Sequence, residues 1–152
     1  WHSTQIIKIT LAALNDGVHT LISQEDGRVV AATSDAIVLK VSGAGTFVGQ
    51  TDNTMLLTLS GTKKITTSDQ LETALEFGGN YAMIAGASHF AGDRFLVAYD
   101  NDVDTYIAMV TFNSPSIVGS YYGAGTLTAV TLMKLVGQDD AGDIVTGDIM
   151  LI

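Results

Sequence analysis

Short apolar segments, each closed by glycine, asparagine or aspartate, recur along most of the chain and constrain its fold more than any other feature. The segments at 36–42, 94–100, 105–112 and 126–136 are rich in β-branched and aromatic residues, which favour extended backbone. Strands at roughly 8–12-residue spacing, with turn signals between them, are typical of all-β architectures. The sequence therefore predicts a mainly β fold, either a β-sandwich or a β-solenoid-like sheet.

The segment at 126–136 is the longest of these strand candidates. Successive side chains of a strand point to opposite faces of its sheet. A strand at this position is therefore expected to place four apolar residues on one face: Leu127, Ala129, Met133 and Leu135. The polar run at 101–104 separates two other strand candidates and predicts a hairpin between them.

One segment departs from this pattern and predicts a single short α-helix at about 68–77. Apolar side chains recur there at helical spacing, at Leu71, Ala74 and Leu75. Thr67 or Ser68 can cap the helix, because a hydroxyl at that position accepts a hydrogen bond from a backbone N–H of the first turn. Gly78 and Gly79 then supply a stop signal.

The chain length of 152 residues predicts one β-rich domain over 1–152, with a subdivision near 61–68 as the alternative. Hydrophobic residues make up 47% of the chain and charged residues only 15%, which leaves ample material for a core. The absence of cysteine excludes disulfides and thiolate metal sites. No apolar run approaches the ~18 residues of a membrane span, so we expect none.

The charge of the chain is strongly acidic. Seven lysines and arginines face sixteen acidic residues, which gives a formal net charge of −9. Nucleic-acid phosphates repel such a surface, so nucleic-acid binding is not expected. Thirteen of the sixteen acids are aspartate, a short side chain that ligates hard cations, and calcium is therefore the cofactor to consider.

The first candidate calcium site is the alternating run Asp100, Asp102 and Asp104. Carboxylates at this spacing can converge on one cation, as they do at the start of an EF-hand loop. The EF-hand pattern then fails, because Thr105 replaces the turn glycine and Thr111 replaces the bidentate glutamate. A calcium site in a β-hairpin loop remains open, and a polar turn without metal is the alternative.

The second candidate metal site comprises Asp139, Asp140 and Asp143. No lysine or arginine follows Gly137, so these carboxylates repel one another unless they are solvated or bound to metal. A solvated loop is the alternative interpretation.

Catalytic motifs are scarce. His2, His19 and His89 lack the spacing of a metal site, and no nucleophile elbow or phosphate-binding loop occurs. Ser88, His89 and Asp93 include the residue types of a catalytic triad, but proximity in sequence does not give triad geometry. Several aromatic residues could line a sugar site or pack in the core: Trp1, Tyr81, Tyr99, Tyr106, Tyr121 and Tyr122. We expect a protein that is not an enzyme.

Residues 69–152 resemble the C-terminal region of RTX-type and S-layer-like bacterial surface proteins exported by type I secretion. Four motifs in order carry the resemblance, DQLETAL at 69–75, RFLVAY at 94–99, DTYIAMV at 104–110 and VTLMKLVG at 130–137. The final residues, 147–152, are similar to the acidic-then-apolar tail of type I secretion signals. The resemblance implies an extracellular location at the bacterial cell surface, export by a type I secretion apparatus and folding in the presence of calcium.

These observations together predict a non-enzymatic, extracellular structural domain that assembles with copies of itself or with a parent surface protein. Uncovered edges of the strands at 36–42 and 126–136 would pair with neighbouring subunits. A carbohydrate-binding or adhesin module is the first alternative, and a viral or phage coat-like subunit is the second. A hydrolase with a carboxylate pair has no motif in its support.

Overall fold

The computed structural model describes residues 6–10, 37–48, 54–61, 64–86 and 88–151. In chain order the elements are β1 (Ile7–Ile9), β2 (Ile37–Val41), β3 (Thr46–Val48), β4 (Thr54–Leu59), α1 (Ser68–Leu75), β5 (Met83–Ala85), β6 (Arg94–Asp100), β7 (Thr105–Phe112), β8 (Leu127–Leu135), a 3₁₀ helix (Ala141–Asp143) and β9 (Ile149–Leu151).

The described strands form one open, mixed sheet and two short ribbons. The sheet has five strands in the order β2-β4-β6-β7-β8. Its first three strands are parallel, and β6, β7 and β8 are antiparallel. The ribbons β1–β9 and β3–β5 are each a parallel pair. The predicted mainly β class is therefore confirmed, whereas a sandwich or a solenoid form is not.

The sheet is buried on both faces. On the face that we call the helix face, side chains of the sheet cluster with the apolar side of α1: Leu57, Phe95, Val97, Tyr99, Val110, Leu71 and Leu75. On the opposite face, called the ribbon face, they cluster with β1, β9 and the 3₁₀ helix: Leu56, Leu96, Ile107, Ile9, Ile149, Ala141 and Ile144. Each fully buried leucine contributes roughly 1.5–3 kcal/mol relative to an exposed one. Packing rather than propensity therefore holds the short helix in place.

The helix α1 confirms the predicted position, although it ends earlier than expected. The Thr67 hydroxyl caps it by accepting a hydrogen bond from the Gln70 N–H at 3.2 Å. The helix ends at Leu75, because Glu76 already has extended backbone angles. A side chain at Gly79 would overlap the carbonyl oxygens of the last helical turn, so only glycine fits the reversal that follows.

The prediction that the apolar residues of β8 share one face is wrong. Leu127 and Ala129 lie on the helix face, whereas Met133 and Leu135 pack against the ribbon face. The cause is a shift in register against β7, where Ile107 pairs with Met133 but Ala108 pairs with Thr131. One extra residue in a strand inverts the facing of every side chain beyond it.

The segment at 61–68 separates two strands of the same sheet, since β4 pairs directly with β6. The extent of the domain over 1–152 stays a prediction. Within the described ranges, no helix is long and apolar enough to cross a membrane.

Candidate functional site

The predicted metal-binding aspartates of the β6–β7 hairpin each have a partner within the chain. Asp100 accepts hydrogen bonds from the N–H groups of Asp102 and Ala141, both at 3.1 Å. Asp102, which has a φ of 66°, forms an ion pair with Lys64 at 2.7 Å. Asp104 pairs with the Nζ of Lys134 at 2.7 Å.

The second acidic group is arranged around the 3₁₀ helix. Asp140 caps this helix by accepting a hydrogen bond from the Gly142 N–H at 2.7 Å. Asp139 and Asp143 are exposed. Asp140 therefore has a structural role in this segment.

The two acidic segments lie far apart in the sequence but pack against each other. The Gly137 N–H donates to Asp104 at 2.9 Å, and the Thr105 hydroxyl donates to the Gln138 carbonyl at 2.8 Å. Together with the bond from the Ala141 N–H to Asp100, these contacts use two carboxylates and one hydroxyl of the hairpin to hold the loop that follows β8.

The pKa values of the two buried carboxylates in the hairpin shift in opposite directions. Burial raises the pKa of Asp100, although the N–H groups of Ala141 and Asp102 oppose that shift. The hydrogen bond from Lys134, together with the Gly137 N–H, lowers the pKa of Asp104. The same contact raises the pKa of Lys134.

No three acidic or histidine side chains of the described residues form a group that could hold a metal ion. The carboxylates nevertheless have a role that needs no metal, because they bind backbone N–H groups and lysines. Calcium binding by Asp100, Asp102, Asp104, Asp139, Asp140 and Asp143 stays a prediction.

Replacing Asp100 by alanine is expected to lower the free energy of unfolding by about 1–2 kcal/mol, because the buried Ala141 N–H loses its acceptor. Urea unfolding of both proteins, in calcium and in EDTA, measures this loss and tests the calcium prediction. If Asp100 also binds calcium, EDTA destabilises the parent protein and has little effect on Asp100→Ala. An alanine variant as stable as the parent would contradict the structural role of this carboxylate.

His89 is a buried polar residue that lies outside the acidic hairpin. It is 2% exposed, and its ring stacks on Phe112 with a centroid distance of 4.6 Å. Neither ring nitrogen has a hydrogen-bond partner among the described residues. Burial lowers the pKa of His89, and the negative charge of Asp93 opposes that shift.

The triad residue types around His89 are not joined by hydrogen bonds. Asp93 accepts from the Phe90 N–H at 2.9 Å, while Ser88 is exposed. Because both nitrogens of His89 lack partners, the described residues contain no bonded Ser–His–Asp relay at this position. His2 and His19 lie outside the described residues.

Two glutamates of α1 cover part of the outer edge of β8. Glu76 accepts a hydrogen bond from the Leu127 N–H at 3.0 Å, and Glu72 accepts one from the Ala129 N–H at 2.7 Å. The two carboxylates take the place of the carbonyl groups that a further strand would offer. We call these two bonds the glutamate lock.

The glutamate lock was not among the features predicted from the sequence. The spacing of Glu72 and Glu76 in the sequence could have indicated it, since residues four apart lie on one face of a helix. A second signal was the position of Glu76 at the C-terminal end of α1, where the helix dipole disfavours a negative charge.

The aromatic candidates for a sugar site separate into two groups. Tyr81 and Tyr99 are core residues of the helix face, and Tyr106 packs beside Tyr99. Tyr121 and Tyr122 line a cleft in the loop between β7 and β8, and Tyr122 also belongs to the buried cluster of the helix face. Trp1 lies outside the described residues.

Comparison of the chain with protein-family models, with curated proteins and with solved structures found no significant match.

Proposed function

We propose that the chain is a non-enzymatic structural domain that associates with copies of itself through the edge of β8. The observation that carries this proposal is the open half of β8, residues 130–135, which lies beyond the glutamate lock. Among the described strands, β8 pairs with β7 alone, and the outer edge of this half has no partner strand among them. An unpaired strand edge is a template for pairing with another chain.

The side chains of this half favour contact with a neighbour. Val130 is 53% exposed and Leu132 is 37% exposed, and Val136 directly after the strand is also exposed. Neighbouring exposed apolar side chains are typical of surfaces that bind other proteins. Lysine on an edge strand usually opposes pairing, but the charge of Lys134 is matched here by Asp104.

The edge of β2 is a weaker candidate for assembly. Its Val38 N–H donates to the Thr146 hydroxyl at 3.1 Å, so this backbone group is already partnered within the chain. Residue 36, at the start of the predicted strand, lies outside the described residues. We therefore place the self-association surface on β8.

The setting of this function is part of the same proposal and is supported by the resemblance of residues 69–152 to exported bacterial surface proteins. The domain would work at the cell surface after export by a type I secretion apparatus. Calcium outside the cell would stabilise the folded state by binding it in preference to the unfolded chain. The net charge of −9 suits a chain that stays extended before export and folds afterwards.

Replacing Leu132 by lysine is expected to dissociate the assembly, because each subunit would bring a new positive charge to the paired edges. Size-exclusion chromatography with light scattering, in calcium and in EDTA, measures the mass of both proteins. We expect oligomers of the parent protein and a monomer of Leu132→Lys. Phe90→Lys is the matched control, since Phe90 is an exposed apolar residue that lies outside β8.

A parent protein that is monomeric in both conditions over a wide concentration range would contradict the proposal. Equal dissociation by Phe90→Lys and Leu132→Lys would also contradict it, because the edge of β8 would then have no special part in the assembly.

A further inference from the structure

The backbone of His89 joins two segments that lie outside the five-stranded sheet. His89 forms a β-bridge with Ser116, in which the Ser116 N–H donates to the His89 carbonyl at 3.1 Å. The His89 N–H donates in return to the Ser116 hydroxyl at 3.2 Å. The ring of His89 stacks on Phe112, the last residue of β7. We call the bridge and the stack together the His89 contact, and it holds the turn at 88–93 against the loop at 113–126.

The His89 contact has no place for a protonated imidazole. A neutral imidazole donates a hydrogen bond through one nitrogen and accepts one through the other, whereas a protonated imidazole donates through both. Neither nitrogen of His89 has a partner among the described residues, and both are shielded from solvent. Protonation in the closed structure would therefore bury a positive charge with two N–H groups that find no acceptor there, which the folded state disfavours.

Asp93 and Arg94 are the charged residues nearest to His89 along the chain. Asp93 favours the protonated ring by its negative charge, but burial has the larger effect. The Asp93 carboxylate accepts from the Phe90 N–H at 2.9 Å. Arg94 lies on the ribbon face of β6, because its neighbour Phe95 points to the helix face. Asp93 is thus the charged group that acts on the ring from this side.

The other elements packed around the His89 contact add no further charge to it. Tyr122 packs edge-on against Phe112 at 5.2 Å, and burial raises its pKa, so it stays neutral in mild acid. Glu76 of α1 lies beyond the start of β8, where its carboxylate is bonded to the Leu127 N–H. A protonated His89 would therefore find no new counter-charge in the closed structure.

The two segments joined by the His89 contact are suited to open locally. Phe90 is 77% exposed, and Ile117 and Val118 are 72% and 55% exposed. Segments that bury few apolar side chains open at a lower free energy than the core of a fold. In contrast, β6 pairs with β7 along its whole length, and most of its residues are buried. Opening of the His89 contact can therefore leave the sheet folded.

We propose that the His89 contact is an acid-sensitive switch. With a neutral ring it holds the turn at 88–93 against the loop at 113–126, and protonation of the ring releases the two segments from each other while the sheet stays folded. Because this loop leads from β7 into β8, the switch controls how firmly the connection between these two strands is held. The proposal goes beyond self-association and does not depend on it.

The direction of the switch follows from proton linkage. Burial lowers the pKa of His89 in the closed state, and release returns it toward the ordinary value of 6.5. The closed state is therefore favoured above pH 6.5 and loses stability relative to the open state as the pH falls toward the lowered pKa. Within this window, each pH unit raises the ratio of open to closed molecules by up to about tenfold.

Hydrogen exchange followed by NMR between pH 7.5 and pH 5 tests the switch. Protection factors correct for the pH dependence of the chemical exchange step, so they report opening alone. We expect protection of the His89 and Ser116 amides to fall by up to about tenfold for each pH unit below 6.5. Amides of the β6–β7 ladder should keep their protection over the same range.

Two substitutions at His89 and one matched control test the assignment. His89→Phe keeps an aromatic ring against Phe112, and His89→Gln keeps a polar side chain, but neither can be protonated in this range. In both variants the protection of Ser116 should be independent of pH. The control is the double variant His2→Gln and His19→Gln, which removes the other two imidazoles and should lose protection in acid like the parent protein.

A parent protein in which Ser116 stays protected down to pH 5 would overturn the proposal. Equal loss of protection in the β6–β7 ladder would also overturn it, because the whole domain would then unfold. Acid loss in both His89 variants, or its disappearance in the double variant, would assign the effect to other groups. Repeating the measurement in Leu132→Lys separates the switch from self-association, since the proposal predicts the same pH dependence in that variant.

Discussion

Replacing Glu76 by alanine is expected to lower the free energy of unfolding by about 2–3 kcal/mol. Glu76 is buried, and its carboxylate accepts a hydrogen bond from the N–H of Leu127, which is also buried. The variant leaves this N–H without an acceptor and removes a charge-assisted hydrogen bond. Removing a negative charge from the C-terminal end of α1 offsets only a few tenths of a kcal/mol. Urea unfolding measures the change.

Glu76→Gln is the matched control, because the amide keeps an oxygen that can accept from the Leu127 N–H. We expect it to retain most of the stability that Glu76→Ala loses. The alanine variant should also form larger assemblies in light scattering, since the glutamate lock no longer covers the first half of the β8 edge. An alanine variant as stable as the parent protein would show that the lock does not stabilise the fold.

Replacing His89 by phenylalanine is expected to stabilise the protein, with the largest gain in mild acid. The pKa of buried His89 lies below its ordinary value of 6.5, so the unfolded chain takes up a proton at a higher pH than the folded protein. Stability from this residue is therefore present above pH 6.5 and is lost as the pH falls through the folded pKa. Each unit of difference corresponds to about 1.4 kcal/mol.

Phenylalanine keeps the stack on Phe112 and has no nitrogen to protonate. Thermal unfolding between pH 7.5 and pH 5 should show that the parent protein loses stability relative to His89→Phe as the pH falls. Both proteins contain Asp100, whose raised pKa makes the folded state more stable as the pH falls further. The difference in stability between the two proteins therefore reports on His89 alone. Parallel pH profiles would contradict the buried, neutral state of His89.

Local features of the fold were predictable because each depends on neighbouring residues. The hairpin of β6 and β7 follows from two β-rich segments around a polar turn, and both strands have the predicted bounds. The helix α1 follows from its apolar spacing and its Thr67 cap. The reversal of facing in β8 was not predictable, because a bulge depends on the partner strand and leaves no pattern in β8 alone.

The candidate sites were only partly predictable for the same reason. The six metal-binding candidates were chosen by their spacing, and the structure shows that Asp100 and Asp104 bind the loop after β8. Of the aromatic candidates that the structure describes, Tyr121 and Tyr122 share a cleft. Neither arrangement is visible in one segment, since each joins residues from separate elements.

The sequence by itself determined the mainly β class, the position of the helix and the acidic charge, because propensity, periodicity and composition act over short distances along the chain. Only the tertiary structure decided which described strand edge is covered, which carboxylates meet backbone N–H groups and that His89 is buried. Those outcomes depend on how separate elements pack, since burial and hydrogen-bond partners arise from contacts between residues far apart in the chain.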